Sequence, residues 1–155
     1  IEPNLENFKQ LTKEQAGLFV KYFWDKSTGN NRINSQKIAE AITTWRWGSG
    51  GYGLKEFQRL LNEKHNANLK VDGGIGTNTV GVVNKIDENK LFDEMIIARK
   101  LFFENLAKRD PSQMKFLKGW TNRLSNFAQT HGTTIKQASK IGLPIFIFAL
   151  ATFFF

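Results

Sequence analysis

The run Val71-Asp72-Gly73-Gly74-Ile75-Gly76-Thr77-Asn78-Thr79 constrains the fold of this chain more than any other stretch. Its glycines can take positive φ, and they admit another backbone or a ligand where a side chain would block it. Asp72 can close an Asx-type turn onto the amides that follow it. Thr77 stands where it can cap a helix starting at Asn78, and Gly76 is expected at positive φ. Helical patterns flank the run on both sides, so it reads as a tight corner between helices. Its spacing matches neither G-x-G-x-x-G nor G-x-x-x-x-G-K-[ST], which excludes the common phosphate loops.

Around that corner, apolar residues recur at helical spacing. Pro3 discourages an early helix, and Thr12-Lys13-Glu14-Gln15 is a capping box. The helix it opens runs to about Asp25, with Leu18, Phe19, Tyr22 and Phe23 supplying a helically spaced apolar face. Asn34 or Ser35 caps a second helix carrying Ile38, Ala39, Ile42 and Trp45. The glycine-rich run 48–53 is expected to break it, and residues 54–63 to resume with Phe57, Leu60 and Leu61 inward. A short helix bears Val80, Val82 and Val83. Residues 90–108 form a long amphipathic helix with Leu91, Met95, Ile96, Phe102, Phe103 and Leu106. Asp110-Pro111 supplies an N-cap with Pro at N1, and the next helix aligns Met114, Leu117, Trp120, Leu124 and Phe127. Thr133 caps a last helix. No window alternates long enough for a strand, so the fold class is all-α, mainly helical around a shared core.

Composition closes off several functions. Cysteine is absent, which excludes a disulfide framework and a Cys-based metal site. His65 and His131 stand far apart without clustered carboxylates, so no metal site and no cofactor is expected. No local motif supports a Ser-His-Asp site. The net charge is +8, and from Pro111 onward the only charged residues are Lys115, Lys118, Arg123, Lys136 and Lys140. No recognition-helix or RNA-binding motif accompanies that charge, so nucleic acid is not the expected partner. A basic collar beside an apolar segment suits lipid headgroups or acidic cell-wall polymers.

That apolar segment, residues 141–155, carries no charge. As a helix it would span about 22 Å, short of the roughly 30 Å hydrocarbon core of a bilayer. It is apolar all round, unlike a surface helix. A transmembrane anchor continuing past Phe155, an interfacial anchor and a segment buried in a partner all fit, and the first is favoured. In that reading Lys136 and Lys140 lie at the headgroups, and Ile141, Phe146, Phe148 and Phe153 enter the lipid bilayer as a hydrophobic C-terminal helix.

Several motifs carry a family resemblance. Gln58-x-x-Leu61 followed by Val71-Asp72-Gly73-Gly74-Ile75-Gly76-Thr77-x-Thr79 resembles the core of peptidoglycan-binding modules. Phe116-Leu117-Lys118-Gly119-Trp120-x-Asn122-Arg123 is similar to the ending of the type that follows the catalytic part of family 108 N-acetylmuramidases of phages and bacteria. Leu11-Thr12-x-Glu14, Tyr22-Phe23-Trp24-Asp25 and Ile33-Asn34-Ser35-Gln36-x-Ile38-Ala39 resemble the second half of that lysozyme-like catalytic domain. The resemblance implies the second half of a catalytic domain over 1–53 and a peptidoglycan-binding domain over 54–130, and after them come the basic segment and hydrophobic tail over 131–155. The catalytic acid of the family is the Glu of an N-terminal Glu-Gly-Gly motif, which this sequence lacks. Because Ile1 already falls in the later half of the pattern, the first few dozen residues, that Glu among them, are expected to precede it.

The resemblance thus implies peptidoglycan binding and hydrolysis by a glycoside hydrolase of the bacterial envelope, akin to an endolysin, and the apolar tail adds the expectation of a membrane anchor. The alternative is a non-catalytic wall-binding tether of an envelope or phage assembly. Candidate glycan contacts follow from residue chemistry. Trp45 and Trp47 point about 200° apart on a helix, so Trp45 faces the core while Trp47, with Tyr52, offers a platform for a sugar ring. Arg46 and Gln58 are donors for sugar hydroxyls. Asp72 and Thr77 could touch glycan, although Asp72 has the turn to hold. Gly73 and Gly76 shape the corner, and Trp120 with Arg123 is expected to pack and to form an ion pair. No catalytic pair can be assigned, and Asp25 is the one accessory carboxylate nominated.

Overall fold

The computed structural model describes residues 5–141. Seven α-helices and no strand are found among the described residues. The first two, α1 (Leu5–Lys9) and α2 (Lys13–Tyr22), lead into a π-helical turn, Phe23–Ser27. Thr12 caps α2 reciprocally: Gln15 N donates to its Oγ1 at 3.2 Å, and its own N–H donates to Gln15 Oε1 at 2.9 Å. The apolar face of α2 stays outside the core, since Leu18, Phe19 and Tyr22 are 69%, 57% and 64% exposed. Helical periodicity marks a face that gains from burial but does not say which element covers it. Trp47 meets this one, with Phe19 and Phe23 edge-on at 6.2 and 5.0 Å between ring centroids.

The spine of the fold is α3 (Gln36–His65), packed lengthwise on α5 (Glu88–Arg109). Ser35 caps α3, its hydroxyl accepting from Ile38 N. The glycine-rich run 48–53 breaks the helical path as expected: Gly50 leaves helical geometry, at φ 57° and ψ −144°, and α3 is two helical segments meeting at that kink. Glycine weakens a helix by about 1 kcal/mol, and here buried Trp45 and Leu54 anchor both sides of the bend. Gly53 also leaves room for the Trp45 indole, which a Cβ at that position would strike. Asp87 caps α5, accepting from Lys90 N at 2.9 Å.

The corner between α3 and α4 (Thr77–Val83) is built on buried Gln58. Gly73 N donates to Gln58 Oε1 at 2.7 Å, and Gln58 Nε2 donates to Asp72 Oδ1 at 3.0 Å and Gly74 O at 2.8 Å. Asp72 Oδ1 also accepts from Gly74 N at 2.8 Å, the expected Asx-type turn. Two details differ from expectation. Positive φ falls on Gly73, at 80°, whereas Gly76 is extended at φ −84° and ψ −178°. Gly76, rather than Thr77, is the N-cap, because the chain straightens one residue earlier and makes Thr77 the first helical residue.

Beyond α5, Asp110 and Pro111 open a 3-10 turn, Pro111–Gln113, into α6 (Met114–Thr130). A short α7 (Ile135–Ala138) is capped by Thr134, one residue later than expected. One apolar cluster runs from Ile33 to Ala138 and joins α3 to α7. Within it Trp45, Phe57, Leu60, Leu91 and Ile96 are nearly inaccessible, each side chain contributing about 1.5–3 kcal/mol on burial. The cluster crosses residue 53, so sequence on both sides of that expected boundary shares one core. Two histidines stand beside carboxylates: His65 Nε2 lies 2.6 Å from buried Glu94, and His131 lies 3.0 Å from the more exposed Glu40.

Lys136 and Lys140 are exposed on α7 and on the turn Ser139–Ile141 that follows. The hydrophobic helix expected over 141–155, including Phe146, Phe148 and Phe153, otherwise lies outside the described residues. Among the described residues no helix is long and apolar enough to cross a membrane.

Candidate functional site

A cavity of about 970 Å³ opens between α3, α5 and α6. The bend at Gly50 sets its outer edge, because Trp47 and Tyr52 lie on either side of it, 61% and 62% exposed. From α6, Trp120 adds a third large ring, tilted against Phe103 at 5.4 Å and Phe116 at 5.9 Å. Phe102, Phe103 and Leu106 of α5 give the cavity an apolar wall.

Its charged groups are mostly cationic. Arg99 on α5 reaches across to α3, where Nη1 donates to Thr44 Oγ1 and Nη2 to Thr44 O, both at 2.9 Å. The guanidinium stands 5.7 Å from the Phe103 ring centre, and its buried Nε has no acceptor. Burial pulls the Arg99 pKa down to about 10, and the positive charge of Arg123 adds to the shift. Glu56 is the one carboxylate among the lining residues. Its Oε1 accepts from Arg59, while Oε2 is buried without a partner. Burial pushes the Glu56 pKa above its ordinary value, against the pull of Arg59. Flat rings beside guanidinium groups suit a ligand that combines an apolar sugar face with negative charge.

The cavity gathers some of the residues singled out from the sequence and leaves others outside. Trp47 and Tyr52 line it together, and so do Trp120 and Arg123, which were assigned a packing role. The ion pair expected of Arg123 is absent among the described residues, and its positive charge instead helps to lower the pKa of Arg99. Arg46 is half-buried and does not line the cavity. Gln58 and Asp72 hold the corner instead, and Thr77 is exposed at the start of α4. Asp25 is paired with Lys21 at 2.7 Å, one turn away on the helix. Glu56, Arg59, Arg99 and Arg109 were not singled out, although Arg99 directly follows the apolar run Met95-Ile96-Ile97-Ala98, a signal that could have marked it.

Residues 52–125 match the family model described as Predicted Peptidoglycan domain. The matched span holds the corner and most of the cavity lining, from Tyr52 to Leu124, while Trp47 lies just before it. The domain supports binding to the cell wall, with peptidoglycan as partner and association with the cell envelope. No curated protein matches the chain.

Proposed function

We propose that this protein holds peptidoglycan in the cavity between α3, α5 and α6. The observation that carries this reading is the position of the cavity within the peptidoglycan-domain match. Sugar rings would lie against Trp120, Trp47 or Tyr52, and guanidinium groups would meet the polar substituents. Pockets of this size with apolar walls and a few polar groups are the usual form of a ligand site. Following the family resemblance for the enzyme and the apolar tail of the sequence for the anchor, the holding part would serve a membrane-anchored N-acetylmuramidase.

One observation favours a second reading, a wall-binding tether that cuts nothing. A glycosidase uses a general acid with a second carboxylate or a positioned water, and the cavity lining offers Glu56 alone, held by Arg59. Purified peptidoglycan sacculi test both readings. The full chain should sediment with sacculi, and exposed Tyr52 replaced by Ala should weaken retention roughly threefold to tenfold. Clearing of a turbid sacculus suspension would establish the hydrolase, and retention without clearing the tether. Failure of the full chain to sediment would refute peptidoglycan binding altogether.

A further inference from the structure

We propose that the cavity recognises a carboxylate of peptidoglycan, taken by Arg99 and Arg123, so that stem-peptide-bearing material is preferred over neutral glycan. This inference rests on the peptidoglycan reading above and names the part of the polymer that the site selects.

Arg99 and Arg123 line the cavity from two different helices, close enough that the positive charge of Arg123 lowers the pKa of Arg99. Like charges facing across an apolar cavity lower stability unless something negative lies between them. Within the lining, the one carboxylate is Glu56, and its bonded oxygen is taken by Arg59. Among the described residues neither Arg99 nor Arg123 forms an ion pair. Arg99 is fixed by two bonds to the neutral oxygens of Thr44, which orient the guanidinium and leave its charge uncompensated. Its Nε–H, buried and without an acceptor, is a donor already desolvated.

Two further arginines and a lysine, Arg59, Arg109 and Lys55, share the lining, so cations outnumber its one carboxylate, Glu56. The aromatic rings Trp120 and Phe103 stand beside the pair and can cover the apolar face of the same ligand. The glycan backbone of peptidoglycan is built from largely neutral amino sugars, and its peptide stems end in carboxylates. Of the two components, the stem carries the charge that this cavity complements.

Titration calorimetry of the full chain with three soluble probes tests the inference: a disaccharide-peptide fragment of peptidoglycan, chitotetraose, and inorganic phosphate. The fragment should bind roughly tenfold more tightly than chitotetraose, the effect of one charge-assisted contact, and phosphate should bind more weakly than the fragment. Replacing exposed Arg123 by Gln should erase the preference for the fragment, with helical circular dichroism retained. Amidating the carboxylates of the fragment should erase it too. Equal binding of fragment and chitotetraose by the unaltered chain would overturn carboxylate recognition while leaving sacculus binding intact. Tighter binding of phosphate than of the fragment would likewise overturn it, in favour of an anionic polymer. A preference surviving Arg123→Gln would remove Arg123 from the site. Loss of sacculus sedimentation by the unaltered chain is the separate result that refutes the underlying reading.

Discussion

A Cβ added to Gly73 would lie 2.9 Å from the carbonyl oxygen of Gly51. The corner that leads to α4 and the bend of α3 are therefore pressed together backbone to backbone. Gln58 fixes the contact from beneath by accepting from Gly73 N. The two glycine-rich stretches, some twenty residues apart in sequence, make one structural unit at the edge of the cavity.

Gly73→Ala should destabilise the protein by about 1–3 kcal/mol, since it adds a side chain at φ 80° and drives it into Gly51. Gly76→Ser should cost nothing and could add a few tenths of a kcal/mol, because nothing lies within 4 Å of its Cβ position and Ser is a better N-cap. Urea melts of the two variants compare them directly. Equal losses would show that the corner does not depend on Gly73.

Gln58→Leu keeps the volume of a buried side chain and removes its amide. Gly73 N–H then loses its acceptor, at a cost of about 1–3 kcal/mol. With Asp72→Asn added, the double variant should lose less than the sum of the two single losses, because Gln58 and Asp72 bond each other. Strict additivity in urea titrations would mean that the two side chains act independently.

Asp72 should make the corner sensitive to acid. The Gln58 amide, and after it the Gly74 N–H, hold its pKa below the ordinary 3.8. A depressed carboxylate stabilises fully above the unfolded value and loses that contribution as pH falls through the folded one. The stability advantage of the unaltered chain over Asp72→Asn should therefore shrink as pH drops below 3.8. A difference independent of pH would refute it.

Glu56 behaves with the opposite sign. Burial raises its pKa above 4.5, so the folded state holds its proton longer than the unfolded chain does. Its contribution is complete below 4.5 and declines as pH rises through the folded value. Glu56→Gln should flatten that decline in thermal melts taken across the acid range. Glu63, also raised by burial, keeps its own part. An unchanged slope would show that Glu56 is not the group responsible.

Local signals in the sequence carried much of this fold. The Thr12–Gln15 capping box, the Ser35 cap and the Asp110-Pro111 start each depend on neighbours within three residues, so adjacent residue types suffice to read them. Helical spacing likewise marks Trp45, Phe57 and Leu61 as core. Which glycine takes positive φ is different in kind. That choice is made by the approach of Gly51, a contact between distant segments, and the three glycines of the corner look alike without it. The cavity was harder still to see. Glu56, Arg99 and Arg123 lie on three helices, and isolated charges on a helix usually mark its solvated face. Packing of α3 and α6 onto α5 is what places them around one space.

The bend at Gly50 also has a handedness. Its φ of 57° and ψ of −144° are close to the mirror image of the polyproline geometry that ordinary L-residues favour. A D-alanine placed there by chemical synthesis would occupy its own preferred basin, and nothing lies within 4 Å of the Cβ position of the L-residue to complicate the comparison. L-alanine would have to leave that basin and straighten α3, moving Trp47 relative to Tyr52. The separation of those two rings, and with it the width of the cavity's outer edge, is thus set by the chirality tolerated at a single residue.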